Sequence, residues 1–597
     1  MCAIFGIIGK HERQKAYEAF TLLSHRGADD EIVFENTDAF LGLYRLRITA
    51  TDQDISSHYA KNNCTILFNG EIYNYQTLAE ELNLFFTSEV ALLHAAYQHW
   101  GDGFVSHLRG MFAIAIIEAH TVKLFRDPFG KKPLYFTYDE QRFIFSSEMK
   151  AIHTLLPWVF QKEDIPTYFS FQTILSPKTF DKHIFQVCAG EIVCFSLRDK
   201  SLSRAMHWCM LNKPVTIYSE DEALVLLQNA LLNSVALRIP REVPFACLLS
   251  GGVDSSLVAA MVCEHEKIDT FCLGYEGYEK YDERAFAQRV ASHIGSRHHE
   301  VILSKEDFFQ TVDEVINGLD EPIADPAMIP LYFLMRQLKK EGFKVVLTGD
   351  GSDELFMGYR TYKELYALES LKSFEFKGWM QRYLKSNFSM HKEWEWYKRV
   401  FESTLLFRST AELFTDLQQN RLLRMNVKDN HSTQALQEYV AMFEKSQRTS
   451  PIDWYSFLDI KITLGDLFLR KLDRMSMAHG IEARSPFLDK EVVAVAFSSD
   501  PKIRMGKTSK SLVKKVAQTY LPKEIVHRKK KGFNYPYIEW LYGSDELKVI
   551  DRVQEKMGLF HEEVLKEYLK KGEQGVLKQH IFAIYLLCKW IEKHILD

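Results

Sequence analysis

The chain has 597 residues, of which 46% are hydrophobic and 26% charged, and its formal net charge is -5. This length is too great for one hydrophobic core, so we expect two or more globular domains. The charge balance argues against a nucleic-acid-binding protein, and no apolar run reaches membrane-spanning length. Nine cysteines without a C-x-x-C pair argue against a disulfide framework or a zinc site. We therefore expect a cytoplasmic enzyme without a signal peptide.

The first candidate catalytic residue is Cys2, which directly follows the initiator Met1. If Met1 is removed, Cys2 carries a thiol and a free α-amine. That amine, with an ordinary pKa of about 8, can act as a base near neutral pH. The alternative interpretation is that Cys2 is only a small apolar residue on a first strand. The rest of the sequence decides between these two interpretations.

The N-terminal part of the chain is predicted to be rich in strands. Apolar and polar residues alternate, or apolar runs lie between turn residues, at 3–8, 65–68, 111–117, 122–125, 134–137, 143–146 and 191–195. The following polar stretch, 197–222, is predicted to be a linker. We therefore predict a first domain at 1–196.

The pattern changes to short buried strands followed by helices in the predicted second domain, 223–597. Strands are predicted at 245–249, 270–273 and 344–347, and a helix is predicted to begin at Ser255. This alternation is typical of a parallel α/β sheet. Residues 366–450 are predicted to form amphipathic helices, for which packing is the better account than chemistry.

Two acidic glycine turns follow predicted strands of this second domain. The first contains Ser250-Gly251-Gly252-Val253-Asp254-Ser255-Ser256, and the second contains Thr348-Gly349-Asp350-Gly351-Ser352-Asp353. Glycines let the backbone approach an anion, and a helix N-terminus offers free N–H groups to it.

Carboxylates in these turns would repel phosphate unless they hold a cation, so Asp254 and Asp353 are candidate Mg²⁺ ligands. Asp350 is a candidate general base. Two such strand ends in one parallel sheet can face a common crevice. A helix N-cap is the alternative for either turn alone.

Together these motifs resemble the glutamine-hydrolysing asparagine synthetases, which are class II glutamine amidotransferases. The resemblance covers nearly the whole chain. In the first half it rests on Cys2–Gly9, His25-Arg26-Gly27, Asn69–Asn74, Leu108–Phe112, Arg126-Asp127 and Ser147-Glu148. In the second half it rests on Leu249–Ser256, Tyr281–Glu283, Asp320–Pro322, Thr348–Tyr359, Lys471–Met477, Arg484–Asp489 and Arg528–Phe533.

For the first half, the resemblance implies an αββα glutaminase sandwich of the N-terminal-nucleophile hydrolase type. Cys2 would attack the side-chain amide of glutamine to give a thioester and ammonia. The Asn69 side chain and the Gly70 backbone would stabilise the oxyanion. The remaining glutamine-binding residues implied by the family are Arg45, Ile48, Glu71 and Thr87, with Arg45 on the α-carboxylate.

For the second half, the resemblance implies a Rossmann-like ATP pyrophosphatase domain. Ammonia would arrive through an interior channel and displace AMP from a β-aspartyl-AMP intermediate, giving asparagine, glutamate, AMP and pyrophosphate. Asp350 and Lys530 would be catalytic, and Asp254 and Asp353 would bind Mg²⁺. The implied ATP-binding residues are Leu249, Ser250, Gly251, Gly252, Asp254, Ser255, Ser256, Leu273, Thr348 and Gly349.

Two departures of the sequence from the family pattern bear on its chemistry. Thr87 stands where relatives have an Asp that binds the amino group of glutamine, so weaker glutamine binding is predicted. Asp350 stands where asparagine synthetases commonly have Glu, a form found in relatives that amidate other carboxylates.

The departure at Asp350 leaves open an amidotransferase for another acceptor, such as a sugar acid or a secondary metabolite. A β-lactam synthetase is disfavoured by the presence of Cys2, and a non-catalytic nucleotide-binding relative by the intact acidic turns. We expect small-molecule partners (glutamine, ATP, and aspartate or another carboxylate) and neither nucleic acid nor membrane. The sequence leaves open whether the protein forms a homodimer.

Overall fold

The computed structural model describes residues 2–27, 29–49, 59–61, 64–373, 377–386, 392–428, 430–528 and 534–596. Within these residues the chain forms two antiparallel sheets in its N-terminal part and one parallel sheet in its C-terminal part. The multi-domain α/β class expected from the sequence is therefore confirmed.

The N-terminal part is built from two sheets whose described strands pair antiparallel. Their orders are β10-β8-β9-β1-β3-β2 and β12-β11-β7-β6-β5-β4. The strands are β1 (Cys2–Gly9), β2 (Asp30–Glu35), β3 (Ala39–Arg45), β4 (Ala60–Lys61), β5 (Cys64–Ile72), β6 (Gly110–Ile117), β7 (Thr121–Arg126), β8 (Tyr135–Tyr138), β9 (Arg142–Ser146), β10 (Phe185–Gln186), β11 (Glu191–Ser196) and β12 (Leu202–Met206).

Helices cover both outer faces of these sheets, which gives the expected αββα sandwich. Helices α1 and α4 pack on the first sheet and α3 packs on the second, while β1 faces β5 across the space between the sheets. The helices of this part are α1 (Arg13–Thr21), α2 (Tyr75–Glu81), α3 (Glu89–Trp100), α4 (Met149–His153) and α5 (Ile165–Phe171).

Strand β1 is buried on both faces because it lies in the middle of the sandwich. Cys2 and Ile4 belong to the core between the sheets, whereas Ala3 and Phe5 belong to the core beneath the helices. This alternation follows from the two-residue period of a strand. It places the Cys2 side chain on the face that looks toward the second sheet.

The predicted linker 197–222 contains β12, which pairs with β11. The second sheet therefore continues to Met206, ten residues beyond the predicted end of the first domain. Strand β12 lies at the edge of its sheet and is largely exposed. Its residues accordingly lack the apolar alternation that identifies a half-buried strand.

The C-terminal sheet is parallel throughout its described strands and has the order β15-β14-β13-β16-β17. Its strands are β13 (Phe245–Leu248), β14 (Asp269–Tyr275), β15 (Arg297–Leu303), β16 (Val345–Leu347) and β17 (Glu482–Arg484). The strand order reverses between β13 and β16. Ligands of such sheets bind outside the carboxyl ends of the strands at this point.

Helices make up most of the rest of the C-terminal part. They are α6 (Glu220–Arg238), α7 (Val253–Cys263), α8 (Arg284–Ile294), α9 (Lys305–Gly318), α10 (Met328–Lys340), α11 (Ser352–Leu355), α12 (Arg360–Glu369), α13 (Lys377–Ser386), α14 (Lys392–Phe401), α15 (Asp416–Leu422), α16 (His431–Gln434), α17 (Gln437–Lys445), α18 (Pro451–Asp459), α19 (Leu469–Met477), α20 (Lys490–Ser498), α21 (Pro501–Met505), α22 (Ser511–Ala517), α23 (Lys523–Val526), α24 (Tyr537–Tyr542), α25 (Lys548–Met557), α26 (Glu562–Glu573) and α27 (Lys578–Ile591). A π-helix, Ile460–Phe468, joins α18 to α19. None of the described helices combines the length and apolar character needed to cross a membrane.

Helix α7 begins two residues before the predicted start at Ser255, so Asp254 lies in its first turn. Helices α12–α17 occupy most of 366–450, as the amphipathic pattern predicts.

A buried network of charges joins the two parts. Arg26, which has no solvent exposure, donates to Glu148 at 2.8 Å and to Asp473 at 2.7 Å. Lys132 also contacts Asp473, at 3.1 Å, and Arg474 contacts Glu148 at 2.7 Å. Because Asp473 and Arg474 lie on α19, each part supplies charges that neutralise those of the other. Buried ions are tolerated when they are paired in this way.

We predict that Arg26→Met lowers the free energy of unfolding by about 3–5 kcal/mol, because Glu148 and Asp473 lose a buried partner. Urea denaturation followed by fluorescence measures this loss. Arg13→Met is the matched control, because the Arg13 ion pair with Glu35 has an 83% exposed cation and should contribute less than about 1 kcal/mol. Equal effects of the two substitutions would show that the buried network does not stabilise the fold.

Candidate functional sites

Cys2 is the first residue of β1, an inner strand of the first sheet, and lies beside a buried basic residue. It stands opposite Arg45 on β3, and Arg45 stands opposite Asp30 on β2. The backbone N–H of Cys2 donates to Oδ1 of Asn69 at 3.2 Å. Cys2 is therefore connected across the sandwich to a residue of the second sheet.

Asn69 and Gly70 are held rigidly beside Cys2. Asn69 is fully buried, and its Nδ2 donates to Oγ of Ser147 at 3.5 Å, which in turn accepts from the Ile4 N–H at 3.0 Å. A Cβ atom at Gly70 would lie 2.0 Å from the carbonyl oxygen of Met111, so only glycine fits there. The motif Ser147-Glu148 marked this support in the sequence, but no role was assigned to Ser147.

The Cys2 thiol is a weak acid in this environment. Burial raises its pKa above the ordinary value, although the hydrogen bond with the Leu46 backbone and the charge of Arg45 partly offset the rise. A thiol of this kind needs a base to become a nucleophile.

Two of the predicted glutamine-binding residues already have partners. Arg45 donates to the Thr49 carbonyl oxygen at 2.9 Å and lies 3.4 Å from Asp30. Glu71 accepts from the Thr49 hydroxyl at 2.6 Å and lies 3.4 Å from Arg484 of β17. Asp30, which supplies a carboxylate next to Arg45, was not recognised from the sequence.

The structure also describes the other two predicted glutamine-binding residues. Ile48 is buried in the core that continues into the C-terminal part, and Thr87 is half-buried in the loop before α3. Glu89, two residues after Thr87, accepts from the Ile72 N–H at 2.6 Å. Burial and the charge of Glu71 raise the pKa of the Glu89 carboxyl well above its ordinary value.

Most of the predicted ATP-binding residues lie directly after β13 and β16, and Leu273 lies within β14. In the first turn, the Ser250 and Ser255 hydroxyls lie 3.1 Å apart, and the Gly252 N–H donates to Ser250 at 3.3 Å. A Cβ at Gly349 would lie 2.7 Å from the Ser255 nitrogen, so the two turns touch. Gly251 completes the first turn, while Leu249, Ser256, Leu273 and Thr348 are buried around it.

The two predicted metal ligands converge on one cation, Lys510. Its ammonium contacts a carboxylate oxygen of Asp254 and lies 2.7 Å from Oδ1 of Asp353. Ser352 also donates to Asp254, at 2.6 Å. Burial lowers the pKa of Lys510, but the charges of Asp254 and Asp353 outweigh it and raise the pKa above its ordinary value.

Lys510 was missed at the sequence level because it is one lysine in a basic stretch, where most lysines are solvated. The convergence of Asp254 and Asp353 fits a cation-binding pair. Among the described residues, however, no group of three or more His, Cys, Asp or Glu side chains could hold a metal ion. A metal here would need substrate oxygens as further ligands.

Of the two remaining predicted catalytic residues, Asp350 lies within the described part of the chain. Asp350 is half-buried in the loop between β16 and α11. Lys530 lies outside the described residues. Arg528, two residues before it in the chain, donates to the Gly251 carbonyl oxygen at 3.2 Å and so contacts the first turn.

A chain of contacts connects the two sites. It starts at Arg45, opposite Cys2, and runs through Thr49 and Glu71 to Arg484. The Arg484 carbonyl oxygen accepts from the Thr348 N–H at 2.9 Å, in the second acidic turn. Arg484 therefore touches both sites, with its side chain at one and its backbone at the other.

Glu354 in α11 is a buried acid next to Asp353. Burial and the charge of Asp353 raise its pKa to about 8, and the Tyr359 hydroxyl donates to it at 2.5 Å. The unfolded chain loses this proton near pH 4.3. Between these values the folded state holds more protons, so the stability contributed by Glu354 falls as the pH rises.

We predict that Glu354→Gln makes the free energy of unfolding less sensitive to pH between 5 and 8, since the amide cannot lose a proton. Denaturation curves at several pH values measure this slope, with Glu364→Gln on the surface of α12 as the control. Parallel slopes for wild type and Glu354→Gln would show that Glu354 is ionised in the folded protein.

Comparisons with known proteins agree with these two sites. The chain matches the family model for asparagine synthase over residues 226–592 and the model for a glutamine amidotransferase domain over residues 1–208. It is 31% identical to asparagine synthetase (glutamine-hydrolyzing) 1 of Bacillus subtilis (strain 168), over 99% of this chain and 96% of that protein.

Similar matches extend to other organisms. A putative asparagine synthetase (glutamine-hydrolyzing) of Mycobacterium bovis is 30% identical over 88% of this chain and 84% of its own length. Asparagine synthetase (glutamine-hydrolyzing) 2 of Arabidopsis thaliana is 27% identical over 91% of this chain and 80% of its own length. The chain therefore belongs to the asparagine synthase family and carries a glutamine amidotransferase domain at its N-terminus.

Proposed function

We propose that this protein transfers the amide nitrogen of glutamine to a carboxylate that it first activates with ATP, and that aspartate is the acceptor, giving asparagine. The observation that carries this proposal is the convergence of Asp254 and Asp353 on Lys510 at the switch point of the parallel sheet. The names of the relatives support aspartate as the acceptor.

The first site would release ammonia by covalent catalysis. Once Met1 is removed, the Cys2 nitrogen becomes an amine that can take the thiol proton. The Cys2 sulfur attacks the amide carbon of glutamine, and Asn69 and Gly70 stabilise the oxyanion. The amine then gives the proton to the leaving ammonia, and water hydrolyses the thioester to glutamate. Arg45 would bind the α-carboxylate of glutamine, in competition with Asp30.

The second site would activate the acceptor. A carboxylate oxygen of the acceptor attacks the α-phosphorus of ATP, and pyrophosphate leaves. Ammonia then attacks the acyl carbon, Asp350 takes a proton from the attacking nitrogen, and AMP leaves. Asp254 and Asp353 would hold Mg²⁺, which offsets the charge of the phosphates when bound. Lys510 supplies a second positive charge there, and we propose the same for Lys530.

We propose a division of the chain into a glutaminase domain at 1–196, a connecting segment at 197–222 and a synthetase domain at 223–597, with β12 extending the glutaminase sheet into the connection. The described residues contain all nine cysteines without a disulfide between them. This supports a reducing location such as the cytoplasm.

The test of the proposed function is Cys2→Ala. We expect it to abolish synthesis with glutamine and to leave synthesis with ammonia within about twofold of wild type, because the second site does not use the thiol. Product mass spectrometry with ATP, aspartate and either nitrogen donor measures both activities. Persistent glutamine-dependent synthesis in Cys2→Ala, or active protein that retains Met1, would refute this role for Cys2.

We expect Asp254→Asn, Asp353→Asn and Lys510→Met each to slow AMP formation by about a hundredfold or more, because each removes a charge that acts on the phosphates. Glutamine hydrolysis should change little in these variants. Lys507→Met, on an exposed lysine three residues away, is the matched control for Lys510→Met. Near-normal AMP formation in Asp254→Asn or Asp353→Asn over a range of Mg²⁺ concentrations would contradict a shared metal.

We expect Thr87→Asp to lower the KM for glutamine by about tenfold, since a carboxylate replaces a neutral hydroxyl near the amino group of the substrate. Steady-state glutaminase assays measure this, and Thr87→Asn controls for the change of shape. If the KM is already low and rises in Thr87→Asp, another carboxylate such as Glu89 binds the amino group.

A further inference from the structure

The side chain of Lys510 lies between the two candidate metal ligands, at the point where they converge. Its ammonium contacts Oδ2 of Asp254 and lies 2.7 Å from Oδ1 of Asp353. The other carboxylate oxygen of Asp254 accepts from the Ser352 hydroxyl at 2.6 Å. Lys510 therefore bridges the two carboxylates, and Ser352 fixes the orientation of one of them.

The backbone of Lys510 is held in an unusual conformation. Its φ is 56° and its ψ is 39°, which is the left-handed region that a residue with a Cβ atom rarely adopts. Its N–H donates to the Phe356 carbonyl oxygen at 3.2 Å, and the residue is only 4% exposed. The surrounding structure thus fixes the position from which the lysine side chain starts.

Gly358 leaves room for the side chain of Lys510. A Cβ atom at Gly358 would lie 2.3 Å from Cε of Lys510 and 1.9 Å from Oδ1 of Asp353. Only glycine lets the lysine chain reach the carboxylates along this path. The fold therefore places the ammonium between the two acids, rather than leaving a surface lysine to find them.

The Lys510 ammonium and a metal ion would compete for the same carboxylate oxygens. Carboxylate oxygens bind Mg²⁺ at about 2.0–2.1 Å and Ca²⁺ at about 2.3–2.6 Å. The Lys510 nitrogen lies only slightly farther than this from Asp353. A divalent ion placed between Asp254 and Asp353 would therefore lie against the ammonium, and two cations so close together repel each other strongly.

The balance of charge decides when both cations can be present. Two carboxylates and one ammonium leave a single negative charge, and a divalent ion would turn this into a single positive charge. Phosphate oxygens supply the negative charge that both cations then need, and they also supply the further ligands that two carboxylates cannot provide. The site is thus suited to a divalent ion only when phosphate is present.

We propose that Lys510 is an internal counter-ion, which closes the metal-binding carboxylates to free divalent cations until ATP is bound and then moves its ammonium to the phosphates. This inference rests on the assignment of Asp254 and Asp353 as Mg²⁺ ligands under the proposed function. It means that metal enters together with the nucleotide rather than before it. It also means that the two acids do not repel the incoming phosphates.

The test measures Mn²⁺ binding to the protein without nucleotide, by electron paramagnetic resonance, since Mn²⁺ takes the same oxygen ligands as Mg²⁺. We expect Lys510→Met to bind Mn²⁺ at least about tenfold more tightly than wild type, because the ammonium no longer repels the ion. Lys507→Met, which changes an exposed lysine of the same loop, should bind Mn²⁺ as wild type does. Equal Kd values for wild type and Lys510→Met would overturn the proposal.

A double variant locates the bound ion. Adding Asp353→Asn to Lys510→Met should abolish the gain in Mn²⁺ affinity, since a single carboxylate is left to bind the ion. A gain that persists in the double variant would show that Mn²⁺ binds elsewhere and would overturn the proposal.

Wild-type protein supplies a measurement that does not depend on whether Lys510→Met folds. Without nucleotide we expect no Mn²⁺ binding that Asp254→Asn removes. Binding of this kind would show that the carboxylates are open beside Lys510, and the proposal would be wrong. AMP formation from ATP and aspartate is measured on the same preparations. Its absence in wild type would refute the proposed function, whereas the Mn²⁺ titrations would still decide the role of Lys510.

Discussion

Buried charges that pair across the boundary between the two parts are the constraint on which this architecture depends. Arg26 of the N-terminal part has no solvent exposure and is neutralised partly by Asp473 of α19. Glu71, next to the proposed oxyanion residue Gly70, is 3.4 Å from Arg484 of the parallel sheet. Separating the two parts would break these ion pairs and expose to water the apolar surface that is packed around them. The domains are therefore expected to keep one relative position while both sites act.

Because the two parts keep one relative position, the two proposed sites share one network of contacts. Arg484 reaches the first pocket through its guanidinium and the second acidic turn through its carbonyl oxygen, which accepts from Thr348. Thr49 binds both Glu71 and Arg45, so the same network includes the residue proposed to hold glutamine. A change in either pocket would shift a residue that both pockets share.

The sequence predicts those features of the fold that depend on local patterns. The apolar runs at 111–117 and 345–347 were recognisable because a strand that is buried on both faces carries apolar residues throughout, and glycines marked both acidic turns. Strand β12 was placed in a linker because an exposed edge strand carries no apolar pattern. Lys510 was missed because its role comes from Asp254 and Asp353, which lie 256 and 157 positions away in the chain.

If the two sites work as one unit, ammonia released at Cys2 must reach the acyl intermediate without entering the solvent. Glutamine labelled with ¹⁵N in its side-chain amide, supplied with ATP, acceptor and an excess of unlabelled ammonium at a pH where little free ammonia is present, tests this directly by mass spectrometry of the amidated product. Internal transfer predicts a product that keeps nearly all of the ¹⁵N. A product whose ¹⁵N content matches the mixed ammonia pool would contradict a closed route between the sites.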